Sequence, residues 1–359
     1  MTDSNNCCAP NSAQTKEEVK EYYGKTLQQS SDLKTNACCT GDIYPQYVKD
    51  AMKLIHDEVM QKYYGCGLTI PHSLKGKRVL DLGSGAGRDC YLLSYLVGEE
   101  GEVIGVDMTD EQLEVANRHI DYHTKKFGYN KPNTRFIKGD IEKLHELDLE
   151  DNYFDVIISN CVINLATDKN AVLKEVYRIL RPGGEMYFSD VYSDRRIPAE
   201  LVKDPVLYGE CLSGALYWND FLQMSKNNGF LDPRNVEAEV ITIENEQLQK
   251  KVGQIKFYSV TYRLFKIDQL EADCEDYGQA VTYKGTISEC PEEFRLDEHH
   301  VMKKGVSFRV CGNSFLMLQE SRFKDHFEFS GDMKEHLGIF EGCGGSMPFD
   351  ESSSKASCC

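Results

Sequence analysis

The sequence predicts an α/β protein built on a doubly wound parallel sheet, and three observations predict it. Short apolar, branched runs alternate with longer amphipathic ones from about residue 77 to 192. Those runs are apolar at nearly every position, as strands buried on both faces must be. A glycine-rich turn joins the first of them to the first amphipathic segment.

Taken in order, KRVLDLG (77–83), EVIGVDM (102–108), TRFIKGD (134–140), DVIISNCV (155–162) and EMYFSDVY (185–192) read as strands. Between them, Thr109 followed by Gln112 is a capping-box signal before EQLEVANRHIDYH, and DKNAVLKEVYRIL (168–180) is closed by Arg181-Pro182-Gly183-Gly184. After the fifth strand the pattern breaks, leaving an insertion at about 193–218 before a helix near 218–229. NVEAEVITI (235–243) and FYSVTYRLFKI (257–267) follow as two more strands, and their short connection predicts an antiparallel edge.

Upstream, residues 1–71 read as a helical N-terminal extension, with EEVKEYYGKTLQQ and YVKDAMKLIHDEVMQKYYG as its periodic pieces. Residues 72–267 form the main domain. Residues 268–345 hold several short strands and a hairpin signal, Lys303-Lys304-Gly305, so a small α+β module is expected there. The polar ends, 1 to about 15 and 346–359, are expected to fray.

Charge narrows the partners. Of 359 residues, 41 are Lys or Arg and 58 are Asp or Glu, a formal net charge of −17. So acidic a chain, with no basic run, disfavours nucleic acid and anionic membrane surfaces. The N-terminus lacks the basic and apolar regions of a secretory signal, and no segment approaches a membrane span, which predicts the cytosol. There the 14 cysteines should be reduced rather than form a disulfide framework. None stands in Cys-x2-Cys or Cys-x4-Cys spacing, which removes the usual signature of structural zinc. The nine histidines do not group into ligand spacing either, and His299 and His300 read as surface or hairpin residues.

The first strand ends in VLDLGSGAGRD, with Gly83, Gly85 and Gly87 at a strand-to-helix turn. Glycines there let the chain turn tightly and let a ligand approach the backbone. The second strand ends in Asp107, where a carboxylate can accept both hydroxyls of a ribose. A dinucleotide fingerprint would want a small residue at position 88, which is Arg88, and there is no G-x-x-x-x-G-K-[ST] phosphate loop. The pattern resembles the class I S-adenosylmethionine (SAM) methyltransferases, whose sheet adds a seventh, antiparallel strand. That resemblance implies a SAM site made of Asp81 (methionine amino group), Gly83, Ser84, Gly85, Gly87 and Arg88 (glycine loop), Asp107 and Met108 (ribose), Asp140, Ile141 and Glu142 (adenine), and Asn160.

In an open α/β sheet the active site lies beyond the carboxyl ends of the strands. Cys161, in ISNCVINL, sits there, and the insertion can bring Cys211, in GECLSGALYW, over the same edge. Cys66, in KYYGCGL, precedes the domain, where the extension could fold over the cofactor as a lid. Three thiols could therefore converge beside a methyl donor, whereas Cys90 reads as a small buried hydrophobe. Thiolates select soft, thiophilic ions. A pyramidal trivalent arsenic centre keeps a lone pair that could attack a sulfonium methyl in line.

Leu33-Lys34-Thr35-Asn36-Ala37-Cys38, YYGCGL, LDLGSGAGRDCY, SNCVINL, GGEMYFSDVY and GECLSGALYW together resemble the arsenite methyltransferase family. The resemblance implies Cys66, Cys161 and Cys211 as arsenic ligands. It implies Cys38 as a fourth cysteine forming a disulfide as the product returns to the trivalent state, and Tyr64 as an aromatic beside the cofactor. It further implies trivalent arsenicals and thiols as substrates, mono- and dimethyl products, no metal cofactor, and an external thiol reductant such as glutathione or thioredoxin. Cys39, next to Cys38, departs from the single cysteine frequent in relatives and leaves open which of the two resolves the disulfide. Cys7, Cys8, Cys358 and Cys359 read as passive. Two other functions fit parts of the sequence: a SAM-dependent O- or N-methyltransferase, which would need a general base near the donor, and a thiol-rich arsenic-sequestering protein.

Overall fold

The structure, a computed structural model, describes residues 12–26, 44–63, 65 and 69–343. Its main sheet comprises β1 (Arg78–Leu82), β2 (Glu102–Asp107), β3 (Thr134–Lys138), β4 (Phe154–Asn160), β5 (Leu180–Ser193), the two-residue β6 (Leu216–Tyr217), β7 (Arg234–Ile241) and β8 (Phe257–Phe265). The helices are α1 (Ser12–Glu21), which continues into a π-helical turn (Tyr22–Thr26), α2 (Gln46–Met52), α3 (Asp57–Gln61), α4 (Arg88–Val97), α5 (Asp110–Arg118), α6 (Ile120–Phe127) and α7 (Lys169–Ile179). Then follow α8 (Ala199–Val202), α9 (Pro205–Gly209), α10 (Trp218–Asn227), α11 (Glu246–Val252) and α12 (Gly312–Gln319).

The strands run in the order β3-β2-β1-β4-β5-β8-β7, with β6 pairing beside the end of β5. β1 to β5 are parallel, and β8 is antiparallel to both β5 and β7. The sheet is thus the doubly wound, seven-stranded class I methyltransferase sheet, with β6 as a short addition. The antiparallel strand, β8, lies inside it and β7 forms the edge. Burial explains the apolar runs: β1 is covered from Val79 to Leu82 and β4 from Phe154 to Ser159. The strand order reverses about β1, between β2 and β4, and that switch point opens a crevice at the strands' carboxyl ends.

Several local expectations are corrected. Thr109 precedes α5, yet its side chain makes no capping bond; Asp107 Oδ1 accepts the Thr109 N–H at 2.8 Å instead, and Gln112 Nε2 donates to the Tyr23 carbonyl. The expected helix EQLEVANRHIDYH breaks at His119 into α5 and α6. Arg181-Pro182-Gly183-Gly184 ends α7 but belongs to β5, as a bulge against β4. Gly183 is required there: its φ is 75°, and a Cβ would stand 2.0 Å from the Glu320 carbonyl oxygen.

The C-terminal residues form β9 (Glu275–Asp276), β10 (Ala280–Tyr283), β11 (Glu293–Arg295), β12 (Val301–Lys303), β13 (Ser307–Arg309), β14 (Phe327–Ser330) and β15 (Gly338–Ile339) around α12. Lys303-Lys304-Gly305 makes no hairpin, because β12 pairs with β11 whereas β13 pairs with β10. His299 and His300 lie in the connection of the antiparallel β11–β12 hairpin, as expected, with His299 exposed and His300 buried and bonded to Asp297. This region has its own apolar core, including Val281, Tyr283, Phe294, Phe315 and Phe323. A buried charge group ties it to the main sheet: Glu185 of β5 meets Arg263 of β8 at 3.0 Å and Arg322 at 2.5 Å, and Arg263 donates to the Leu296 carbonyl.

Candidate active site

At the switch point lies a solvent-open cleft of about 1020 Å³. Its floor is the β1–α4 turn, where Gly83, Gly85 and Gly87 hold φ values of 73°, 51° and 88°. Only glycine takes that succession without strain. Gly87 caps α4 in a left-handed conformation, and a Cβ there would stand 2.7 Å from the Phe136 ring, so it shapes the turn without lining the cleft. Asp107 fixes the same turn from β2: its Oδ2 accepts the Gly85 N–H at 2.8 Å.

Of the residues expected at the SAM site, Asp81, Gly83, Ser84, Gly85, Arg88, Asp107, Met108, Asp140, Ile141, Glu142 and Asn160 all line the cleft. Burial pushes Asp81 well above the usual carboxylate range, and the carboxylates of Asp89 and Asp107 push it further. Burial also raises Asp107, against the N–H groups of Thr109 and Gly85. Ser84 Oγ and Gln112 Oε1 are buried on the cleft wall with no hydrogen-bond partner among the described residues. Buried carboxylates raised by desolvation, together with such orphaned oxygens, fit a ligand bearing a cation and several donors, which is the chemistry of SAM.

Sequence reasoning missed part of the wall. Lys16, on α1, reaches across to Asp140 and Glu142 at 2.6 and 2.7 Å, and Val19 and Tyr23 flank it, so the extension closes one side. Tyr63 stacks under the Arg88 guanidinium and accepts from Asn160 Nδ2 at 2.6 Å. The aromatic residues of the extension are the available signal for the Tyr23 and Tyr63 contacts, whereas nothing in the sequence marks Lys16.

Cys161 follows β4 and lines the cleft. It is disulfide-bonded, whereas Cys90, Cys274, Cys290, Cys311 and Cys343 are free thiols. Cys211 does not line the cleft. It is buried behind Cys161, and its thiol donates to the Cys161 carbonyl at 3.3 Å. The π-helical turn covers it, with Tyr23 Oη 4.0 Å from its sulfur and Tyr22 Oη donating to Glu210. Beneath them, Asp190 Oδ2 accepts from Asn164 N and Oδ1 from Val191 N, and burial pushes its pKa up to about 7. Cys90 is buried and donates to Asp81, in keeping with its expected core role. Cys38, Cys39, Cys66, Tyr64, Cys7, Cys8, Cys358 and Cys359 lie outside the described residues.

A family model described as "Methyltransferase domain" matches residues 73–229, and one described as "Arsenite methyltransferase C-terminal domain" matches residues 277–352. An arsenite methyltransferase of Aquipseudomonas alcaligenes is 56% identical over 96% of this chain and 99% of its own. The chain belongs to the arsenite methyltransferase family. A family member from Mus musculus is 45% identical over 87% of this chain and 83% of its own. Among solved structures, an arsenic (III) S-adenosylmethionine methyltransferase from Chlamydomonas reinhardtii superposes with a TM-score of 0.81 at 50% identity, covering 83% of this chain and 100% of that one. Among the described residues no helix is long and apolar enough to cross a membrane.

Proposed function

We propose that this protein transfers methyl groups from SAM to trivalent arsenic, yielding mono- and dimethylated arsenicals. The observation that carries the reading is the adjacency of Cys161, on the cleft wall, to the Cys211 thiol directly behind it. Family membership supports the same acceptor.

When bound, SAM supplies an electrophilic sulfonium methyl. Asp81 would face its amino group, whose positive charge would offset the burial that raises this carboxyl, and Asp107 would accept from the ribose while holding the glycine turn in place. Gly83, Ser84 and Gly85 would form the floor, Gly87 shapes the turn beneath them, and Arg88, Met108 and Asn160 would complete the walls around it. Asp140, Ile141 and Glu142 bound the adenine side, where Lys16 neutralises both carboxylates.

Cys66, Cys161 and Cys211 hold the arsenic, and Tyr64 packs beside the donor. The arsenic lone pair would attack the sulfonium methyl, forming the carbon–arsenic bond as the carbon–sulfur bond breaks and S-adenosylhomocysteine leaves with that electron pair, which raises arsenic formally to the pentavalent state. Two thiolates, Cys38 and a partner, return two electrons by closing a disulfide. The oxidised state of Cys161 supports such a cycle. An external thiol, glutathione or thioredoxin, then resets the cysteines, and no resident metal takes part. A reducing cytosol supplies those conditions.

Methyl transfer from labelled SAM by the reduced protein, with and without arsenite, tests the reading. Arsenite-dependent formation of methylated arsenic is expected; SAM binding with no methylated arsenic would overturn it.

A further inference from the structure

Three cysteines that neither the cleft nor its chemistry uses meet in the C-terminal region. We propose that Cys274, Cys311 and Cys343 form a second thiolate site for trivalent arsenic, a proposal that rests on the arsenic reading above. Their sulfurs all lie within 4.8 Å of one another, and Cys343 Sγ and Cys274 Sγ are 2.7 Å apart. A soft ion bound at about 2.3 Å draws its sulfurs to within about 4 Å of each other, so small rotations suffice.

The convergence is built by backbone, since the residues are far apart in sequence. Cys274 immediately precedes β9, and Cys311 caps α12, its sulfur accepting from Ser314 N. Cys343 is brought over by the pairing of β15 with β9 and by Phe340 N donating to the Cys274 carbonyl at 2.8 Å.

The surroundings favour thiolate. Arg234 Nη2 lies 3.7 Å from Cys311 Sγ, and Arg234 is itself held by Asp232 at 2.6 Å and Asp297 at 2.9 Å. An adjacent guanidinium stabilises the charged, ligating form of a thiol. Cys311 is buried while Cys274 and Cys343 are partly exposed, which leaves an entry from solvent. Among the described residues no histidine or carboxylate joins the three sulfurs in the cluster. Three donors satisfy pyramidal arsenic, whereas structural zinc takes four. Binding is ligand exchange without redox change: arsenous acid gives up three hydroxyls, three thiols give up their protons, and three waters leave.

The test uses the full-length, reduced protein with arsenite as the only added ion, in a C161S/C211S background that removes the two described thiols assigned to the methylation site. Adding C274S, C311S and C343S should lower the arsenic retained after desalting by one per chain. X-ray absorption of the background protein should show three sulfurs around arsenic at that site. Unchanged stoichiometry would overturn the proposal, as would stoichiometric zinc that survives exposure to arsenite. If the substituted chain does not fold, the unsubstituted protein answers the same question. Arsenite should then protect the peptides holding Cys274, Cys311 and Cys343 from alkylation together, at least tenfold, and equal labelling with and without arsenite would refute the site. Arsenite-dependent methylation by the unsubstituted protein, measured on the same preparation, separates failure of this site from failure of the arsenic reading.

Discussion

The Cys211 thiol donates to the carbonyl oxygen of Cys161 at 3.3 Å, and both residues hold left-handed backbones, with φ of 60° and 57°. For a residue bearing a Cβ that conformation costs roughly 1–2 kcal/mol. Glycine at either position would relieve the strain and lose the thiol. We expect Cys211→Gly to be more stable than Cys211→Ala by about 1 kcal/mol, the reverse of the ordinary order, in paired denaturant titrations. Cys211→Ser and Cys161→Ser should each lose arsenite methylation by at least about 100-fold while SAM affinity changes less than about threefold. Alanine as the more stable variant would remove the strain argument, and full activity in either serine variant would remove the ligand assignment.

Asp107 serves two ends at once. It accepts N–H groups from Gly85 and Thr109, each at 2.8 Å, and it lines the cleft where the ribose is proposed to lie. Hydrogen bonds to a charged acceptor contribute about 1.5–3 kcal/mol. Asp107→Ala should therefore weaken SAM binding by about 10- to 150-fold in calorimetry, with arsenite uptake by the reduced protein unchanged. An affinity within about twofold of the unsubstituted protein would place the ribose elsewhere.

Much of this was legible in the sequence because it is local. The central strands β1, β2 and β4 are nearly continuous apolar runs, and the turn with its acidic partner is a short motif at a strand end. What stayed hidden depends on distant pairing. Lys16 reads as one charge on an amphipathic helix, and only the fold shows it bridging Asp140 and Glu142. His56, Glu58 and His119 have no ligand spacing, yet their donor atoms lie within 4.8 Å of one another. The Lys303-Lys304-Gly305 signal describes a real turn, with Gly305 at φ 71°, but turn chemistry does not choose strand partners. The Cys274, Cys311 and Cys343 cluster is invisible for the same reason.

Glu185 joins the sheet to the C-terminal region through Arg263 and Arg322, with all three side chains buried. Removing one partner of a buried ionic group leaves uncompensated charge, at about 3–5 kcal/mol. Glu185→Gln should lower the unfolding free energy by about that amount and lower the Tm accordingly. A loss below about 1 kcal/mol would mean that water enters and screens the two arginines.

Asp190 supports the turn that follows Cys161, because its Oδ2 accepts the Asn164 N–H at 3.0 Å. Burial holds its pKa at about 7 in the folded chain, against about 3.9 when unfolded. Between those values the folded state keeps a proton that the unfolded state has released. Its contribution to stability is therefore most favourable below about pH 4 and is lost as pH rises towards 7, at up to about 1.4 kcal/mol per unit. Asp190→Asn cannot titrate, so the stability of the variant relative to the unsubstituted protein should rise between pH 5 and 7 and level off above that. Since asparagine has one carbonyl oxygen where aspartate has two acceptors, the turn should also loosen, lowering kcat a few-fold with SAM affinity unchanged. Parallel stability curves across that range would mean that Asp190 is already ionised in the folded protein, paired closely enough with Lys169 to offset its burial.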